Sequence, residues 1–349
     1  MKKKNSTFKA AVLFNLKKPL KIININYPDK LKKGQIFIRL NSSSICGAQA
    51  NEINGIKGPD KYLPHMMGHE GYGKVINVGK SVKKVKKGDN VILHWRKGYG
   101  IEADAGLYYS KKFGKINSGK VTTFSEYTTV SENRVTKIKI SSKLKKIAPC
   151  FGCSLSTSYG LVFKEAKMKI NNRLLIIGSG GLGLSIAAMA RSKGIKNIMF
   201  VDKNFNNYKT KFIKSLRLNN IKNYMHKKIE DCKGNKFNHI IDTTGDIKIL
   251  EKAFNIMTGN SKLILVGQPK KNKTLKLKNA LSMFDGKTIF ASDGGLINPS
   301  KDLQKISDYV NKNFQYFKNF ISHDIFLKDV NKGFTKLKHG NALRISLKF

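Results

Sequence analysis

Two styles of hydrophobic patterning divide the chain. Through the first 150 residues, short segments alternate apolar and polar positions and are broken by glycine. Gln35–Leu40, Lys74–Val78 and Asn90–Leu93 each predict a strand with one buried face. From about residue 155 the alternation gives way to short apolar runs: Arg173–Ile177, Ile198–Val201, His239–Asp242 and Leu263–Val266. Helical lengths such as Leu182–Lys193 separate them. Apolar runs of this kind suit strands covered on both faces, and their alternation with helices predicts a parallel, doubly wound sheet. The last sixty residues carry no comparable rhythm and are expected to return to the β-rich part. No run approaches 18 uninterrupted apolar residues, so no membrane span is expected.

Composition supports a folded, two-domain protein of 349 residues, 40% of them hydrophobic, with 30 glycines and only 7 prolines. The net charge of +45 first suggests a nucleic acid or a membrane surface as partner. Its distribution argues otherwise. The bases are 60 lysines and 7 arginines, spread through every block of fifty residues, with Lys2-Lys3-Lys4 the longest run. Groove readers and phosphate clamps favour the bidentate fork of arginine. The charge therefore describes a lysine-rich outside, and nucleic acid is not expected as a partner. Four cysteines make no disulfide framework and fit a reducing, cytoplasmic location. Ala10–Phe14 is too short for the core of a signal peptide.

The segment Gly178-Ser179-Gly180-Gly181-Leu182-Gly183 fits G-x-G-x-x-G directly after a strand and at the head of a helix. Gly178 permits a tight turn, Gly180 lets the backbone approach a pyrophosphate, and Gly183 lets the helix pack on the strand. Asp202, 19 residues beyond Gly183, ends the next apolar run. A carboxylate there accepts from both ribose hydroxyls and repels a 2′-phosphate, so NAD is favoured over NADP. Lys203 and Lys209 temper that preference, since either is able to neutralise a phosphate. Gly181, Leu182, Lys203 and Gly267 complete the expected cofactor contacts.

A second constellation points to a metal. Gly68-His69-Glu70 is followed by Gly73, Gly79 and Val82, with Cys46 upstream and Cys153 downstream. Two thiolates and an imidazole suit zinc and leave a fourth tetrahedral position open, as a catalytic site requires. Glu70 joins the metal set as a carboxylate that approaches the ion during ligand exchange. Cys150 and Cys153 also form a C-x-x-C pair, but no thioredoxin-like context precedes them. Cys150 and Cys232 are simplest as buried free thiols.

These residues, with Lys9-Ala10-Ala11-Val12-Leu13, Phe124-Ser125-Glu126-Tyr127 and Leu343-Arg344-Ile345-Ser346-Leu347, give a chain that resembles the zinc-dependent alcohol dehydrogenases of the medium-chain dehydrogenase/reductase superfamily. The resemblance runs nearly end to end. It implies an α/β protein: a β-rich GroES-like catalytic domain over 1–154 and 292–349, and a Rossmann NAD-binding domain over 155–291. By the same resemblance Cys46, His69 and Cys153 are zinc ligands, Arg344 contacts the cofactor's pyrophosphate, and Trp95 shapes the substrate pocket. The implied partner is a small alcohol or carbonyl compound, and the implied assembly a homodimer or homotetramer through Ser261–Gly267 and Lys287–Ser292.

Three departures modify this. Residues 95–145 contain no cysteine, so one catalytic zinc and no structural zinc are expected, with Lys97–Lys120 held by packing and hydrogen bonds. Ala48 stands where a Ser or Thr usually begins the proton relay, leaving a zinc-bound water or His94 as proton paths. Gln49 replaces an acid that usually supports the liganding histidine. The expected reaction is reversible oxidation of an alcohol by NAD⁺. A simple alcohol, a polyol, a sugar-linked hydroxyl and a glutathione adduct are all open as substrates. A zinc-free quinone-type reductase would not require the three ligands and Glu70. The alternative from another class is a polyanion-binding protein on a dehydrogenase scaffold with impaired catalysis.

Overall fold

The computed structural model describes residues 6–218 and 225–349. Ten strands come first: β1 (Thr7–Leu13), β2 (Lys21–Asn26), β3 (Gln35–Ile45), β4 (His65–Met66), β5 (Gly71–Val78), β6 (Asn90–Leu93), β7 (Leu107–Ser110), β8 (Gly114–Asn117), β9 (Tyr127–Ser131) and β10 (Val135–Lys137). Helix α1 (Gly47–Ile53) lies between β3 and β4, and α2 (Ser154–Gly160) leads into the second half. There β11 (Arg173–Ile177), α3 (Gly181–Ser192), β12 (Asn197–Val201), α4 (Asn207–Ser215), β13 (Met225–His226), β14 (His239–Asp242), α5 (Ile247–Asn255), β15 (Lys262–Leu265) and β16 (Thr288–Ala291) follow in turn. The chain closes with α6 (Pro299–Lys312), β17 (His323–Phe326), α7 (Val330–Lys338) and β18 (Ile345–Lys348).

The first ten strands, joined by β17 and β18, form a five-stranded sheet, β2-β1-β4-β8-β7, and a seven-stranded sheet, β10-β6-β5-β3-β18-β17 with β9 beside β3. The other six form an all-parallel sheet ordered β13-β12-β11-β14-β15-β16. That is the 3-2-1-4-5-6 order of a doubly wound fold, whose ligand crevice opens where the order reverses, between β11 and β14. The architecture is α/β, as the patterning indicated. Leu174–Ile177 of β11 are all buried, which is why that strand shows no alternation. In α3, Gly183–Ala190 are buried throughout, because the helix lies between the sheet and α2.

The C-terminal sixty residues hold more regular structure than their patterning suggested. Helix α6 is capped by the Asn298 side chain, which accepts from Ser300 N at 3.1 Å, with Pro299 at its first position. Strand β18 pairs antiparallel with β3, Ile345 opposite Ile45, and so carries Arg344 to the end of the strand that precedes Cys46.

The cysteine-free stretch between β6 and β9 contains the β7–β8 hairpin and is organised around two carboxylates. Glu102 gathers Lys97 at 3.2 Å, Lys120 at 3.3 Å and Arg134 at 3.3 Å, and accepts from Asn133 Nδ2 at 2.9 Å. Glu132 accepts from the backbone N–H groups of Lys83, Lys84 and Ile101. Ion pairs thus supplement the packing expected for this stretch. Among the described residues no helix is long and apolar enough to cross a membrane.

Candidate metal and dinucleotide site

Chain reversals at three element ends bring three donors together. Cys46 is the residue between the end of β3 and the start of α1, and its backbone N–H donates to Gln49 Oε1 at 2.6 Å. His69 sits in the turn into β5. It follows Gly68, whose φ of +97° and tight contact with Thr123 exclude a side chain. Cys153 is the N-cap residue of α2. The ligand atoms of Cys46, His69 and Cys153 all lie within 4.8 Å of one another. His69 Nε2 is buried and makes no hydrogen bond. A buried ring nitrogen without a hydrogen-bond partner beside two thiols fits a set of zinc donors. The Cys153 thiol, by hydrogen bonding to Cys46, holds Cys46 well below the usual thiol range, and Arg344 and His69 add to the effect. Burial instead pushes Cys150 up to about 12 and Cys232 up to about 11, as inert buried thiols require.

Glu70 does not join this group. It is fully buried, and its Oε1 accepts from Arg344 Nη2 in an ion pair that spans 274 positions of sequence. A carboxylate removed from water needs a counter-charge, and the strand pairing of β18 with β3 supplies one. Arg344 also borders the dinucleotide turn: a Cβ on Gly181 would lie 3.2 Å from its Cδ. The residue expected at the pyrophosphate therefore links that turn to the acid beside His69.

Gln49 uses its carbonyl oxygen to cap α1, and its Nε2 has no partner, so it does not support His69 as an acid would. His94 is also occupied. Its Nδ1 pairs with Arg96 O at 2.7 Å and its Nε2 with Thr136 Oγ1 at 3.0 Å, while burial lowers its pKa to about 3. Those bonds withdraw it as a proton acceptor. Trp95 is 38% exposed and stacks under the Arg96 guanidinium, 5.5 Å away, beside Gly294.

In the parallel sheet the glycine turn joins β11 to α3. A Cβ on Gly183 would sit 1.9 Å from the Gly178 carbonyl oxygen, so only glycine lets helix and strand approach. Asp202 ends β12 beside the turn, but it is already engaged. Its Oδ2 accepts from Ser179 N at 2.7 Å, Ser179 Oγ at 2.6 Å and Lys209 Nζ at 2.9 Å. Against the opposing effect of burial, these bonds keep its pKa below the usual carboxylate value. Lys209 is itself buried, whereas Lys203 is exposed and lies 3.8 Å from Asp246. Gly267 follows β15 and packs against the backbone of Thr243–Gly245. Ser179 and Asp242, which accepts from Thr244 and Gly245 to order the loop after β14, carried no signal in the motif spacing.

Residues 32–140 match a family model described as the alcohol dehydrogenase GroES-like domain, and residues 181–312 one described as zinc-binding dehydrogenase. The chain is 28% identical to alcohol dehydrogenase-like 3 of Arabidopsis thaliana, across 98% of this chain and 96% of that protein. It is 24% identical to the probable S-(hydroxymethyl)glutathione dehydrogenase 1 of Schizosaccharomyces pombe, across 98% and 97%. Among solved structures, benzyl alcohol dehydrogenase from Acinetobacter calcoaceticus shares the fold with a TM-score of 0.83 at 18% identity, covering 99% of each chain.

Proposed function

This chain belongs to the zinc-dependent alcohol dehydrogenase family of the medium-chain dehydrogenase/reductase superfamily, and from that premise we propose how its residues perform the oxidation of CH–OH donors. The observation that carries the reading is the convergence of Cys46, His69 and Cys153, with His69 Nε2 left bare. These three residues hold one catalytic zinc, which when bound supplies Lewis acidity towards the oxygen of the alcohol. The polyanion-binding alternative is not favoured, because it gives no reason for these donors to meet.

A nicotinamide dinucleotide supplies the hydride acceptor when bound. The turn Gly178–Gly183 and the N-terminus of α3 receive its pyrophosphate, and Arg344 borders the same turn. Asp202 favours the ribose of NAD over the 2′-phosphate of NADP. Ala48 offers no hydroxyl, and His94 has both nitrogens occupied, so proton transfer uses neither. In this reading 1–154 and 292–349 form the catalytic domain, 155–291 the dinucleotide domain, and Trp95 borders the substrate.

The assembly is a homodimer or homotetramer formed through the parallel sheet, in a cytoplasmic setting that keeps its four free cysteines reduced. Of the two segments named for the interface, Ser261–Gly267 contains β15, which is covered on both sides by β14 and β16. Only Lys287–Ser292 holds an edge strand, β16, and exposed Leu281 and Phe284 lie just before it in the chain.

The test is metal analysis joined to an alcohol panel that follows NADH and NADPH. The wild-type protein should carry about one zinc per chain, and Cys153→Ser should lose both zinc and turnover. Zinc content and turnover unchanged by that substitution would sink the assignment.

A further inference from the structure

Two lysines follow the end of β12, and by position in the chain either is able to meet a 2′-phosphate beside Asp202. The fold separates them. Lys203 comes directly after Asp202, but its side chain is 79% exposed and reaches only towards Asp246, 3.8 Å away at the cap of α5. Lys209 lies in the first turn of α4 and is 6% exposed.

The Lys209 side chain is fixed at both ends. Its backbone N–H donates to the capping Asn206 Oδ1 at 2.9 Å. The loop from Asp202 to Asn206 then wraps its ammonium group, which donates to Asp202 Oδ2 at 2.9 Å and to Asn204 O at 2.8 Å.

Asp202 is crowded by these contacts. Its Oδ2 receives the Ser179 N–H, the Ser179 hydroxyl and the Lys209 ammonium, and its Oδ1 receives the Asn204 N–H at 2.9 Å. An ionised carboxylate oxygen has about two lone-pair sites, so Oδ2 is filled and Oδ1 keeps one. The acid expected to accept from both ribose hydroxyls therefore has room for one. Its charge is offset as well. A positive charge 2.9 Å from a negative one leaves a field that largely cancels beyond that separation, and burial keeps water and salt from screening the pair. The exposed Lys203 ammonium is screened by both.

Resting on the dehydrogenase reading above, we propose that Lys209, and not Lys203, sets how strongly this protein discriminates between NAD and NADP. Asp202 still prefers a ribose hydroxyl, through Oδ1, but the buried ammonium behind it removes most of the repulsion that a 2′-phosphate would meet. NADP is then a working second cofactor. Ser179, 0% exposed, is a positioning residue: its two donors hold the carboxylate in place and ionised even when Lys209 is replaced.

Calorimetry with ADP-ribose and 2′-phospho-ADP-ribose on the zinc-loaded protein reads this without hydride transfer, and initial rates with NAD and NADP read it in turnover. The wild-type protein should bind the two ligands within about tenfold of each other. Lys209→Met should weaken the phosphorylated ligand relative to the other by at least about tenfold, opposite in sign to Asp202→Gly. Lys209→Arg, which keeps the charge, should hold the ratio within about threefold of wild type. Should Lys209→Met fail to fold, Lys209→Gln, which keeps a donor without the charge, carries the same expectation. Equal weakening of both ligands, or a larger shift in Lys203→Met than in Lys209→Met, overturns the proposal. Binding ratios that follow the expected order in a protein that oxidises no alcohol sustain the role of Lys209 and overturn the dehydrogenase assignment.

Discussion

Removing the Arg344 guanidinium tests the tertiary account most directly. Glu70 is 0% and Arg344 2% exposed, so neither charge has water to fall back on. Breaking such a pair by deleting one partner leaves the other buried and uncompensated, at a cost of about 3–5 kcal/mol. Arg344→Met should therefore destabilise the protein by that amount, lowering the urea midpoint by roughly 1 M. Glu70→Gln should cost less, because the positive charge it leaves still faces Cys46 and Cys153. Removing both partners together should cost less than the sum of the single changes, with a coupling of about 2 kcal/mol or more. The assay is urea unfolding of the zinc-loaded protein, followed by circular dichroism across all four proteins of the cycle. Strict additivity, or a cost below about 1 kcal/mol for Arg344→Met, would refute the claim that these charges are buried against each other.

Two further outcomes follow from the same structure. Asp202→Gly removes the acid and leaves the Lys209 ammonium beside the turn, so the NADP-to-NAD ratio of kcat/KM should rise at least about tenfold; an unchanged ratio contradicts the role given to Asp202. Glu102, with its pKa lowered to about 2, stabilises the fold above the ordinary carboxylate value, and that contribution is lost as pH falls through its folded value. Its lysine partners are more than half exposed, so screening limits Glu102→Gln to about 1–2 kcal/mol at pH 7. The difference from wild type should vanish near pH 2, and trypsin should cut the 97–120 segment faster in the variant at pH 7.

The strands of the parallel sheet were legible as apolar runs because both their faces are covered. His239–Asp242 and Arg173–Ile177 match their predicted limits, Asn197–Val201 begins one residue earlier, and Lys262–Leu265 is shifted by one residue at both ends. Helix α6 has a recognisable start signal in Asn298 and Pro299 and a buried face of Leu303, Ile306 and Val310, but Ser307 interrupts that face and leaves its apolar pattern thin. In the sequence His94 is open as a base, whereas in the fold hydrogen bonds occupy both of its ring nitrogens. Neither bond partner lies in a motif.

What the sequence determined by itself is what local chemistry dictates: the alternation of strands and helices, the glycine turn, and two cysteines and a histidine of the kind that binds zinc. Short-range sterics and burial govern those features, and they leave a pattern within a few residues. Only the tertiary structure decided that Glu70 meets Arg344 rather than the donor cluster, and that Asp202 is already held by Ser179 and Lys209. It alone decided that Glu52 and Asp60 both turn to the buried His65. Each of these is a choice of partner among buried or half-buried charges. Such choices follow from which strand lies beside which, and the pairing of β18 with β3 across three hundred residues is invisible until the chain has folded.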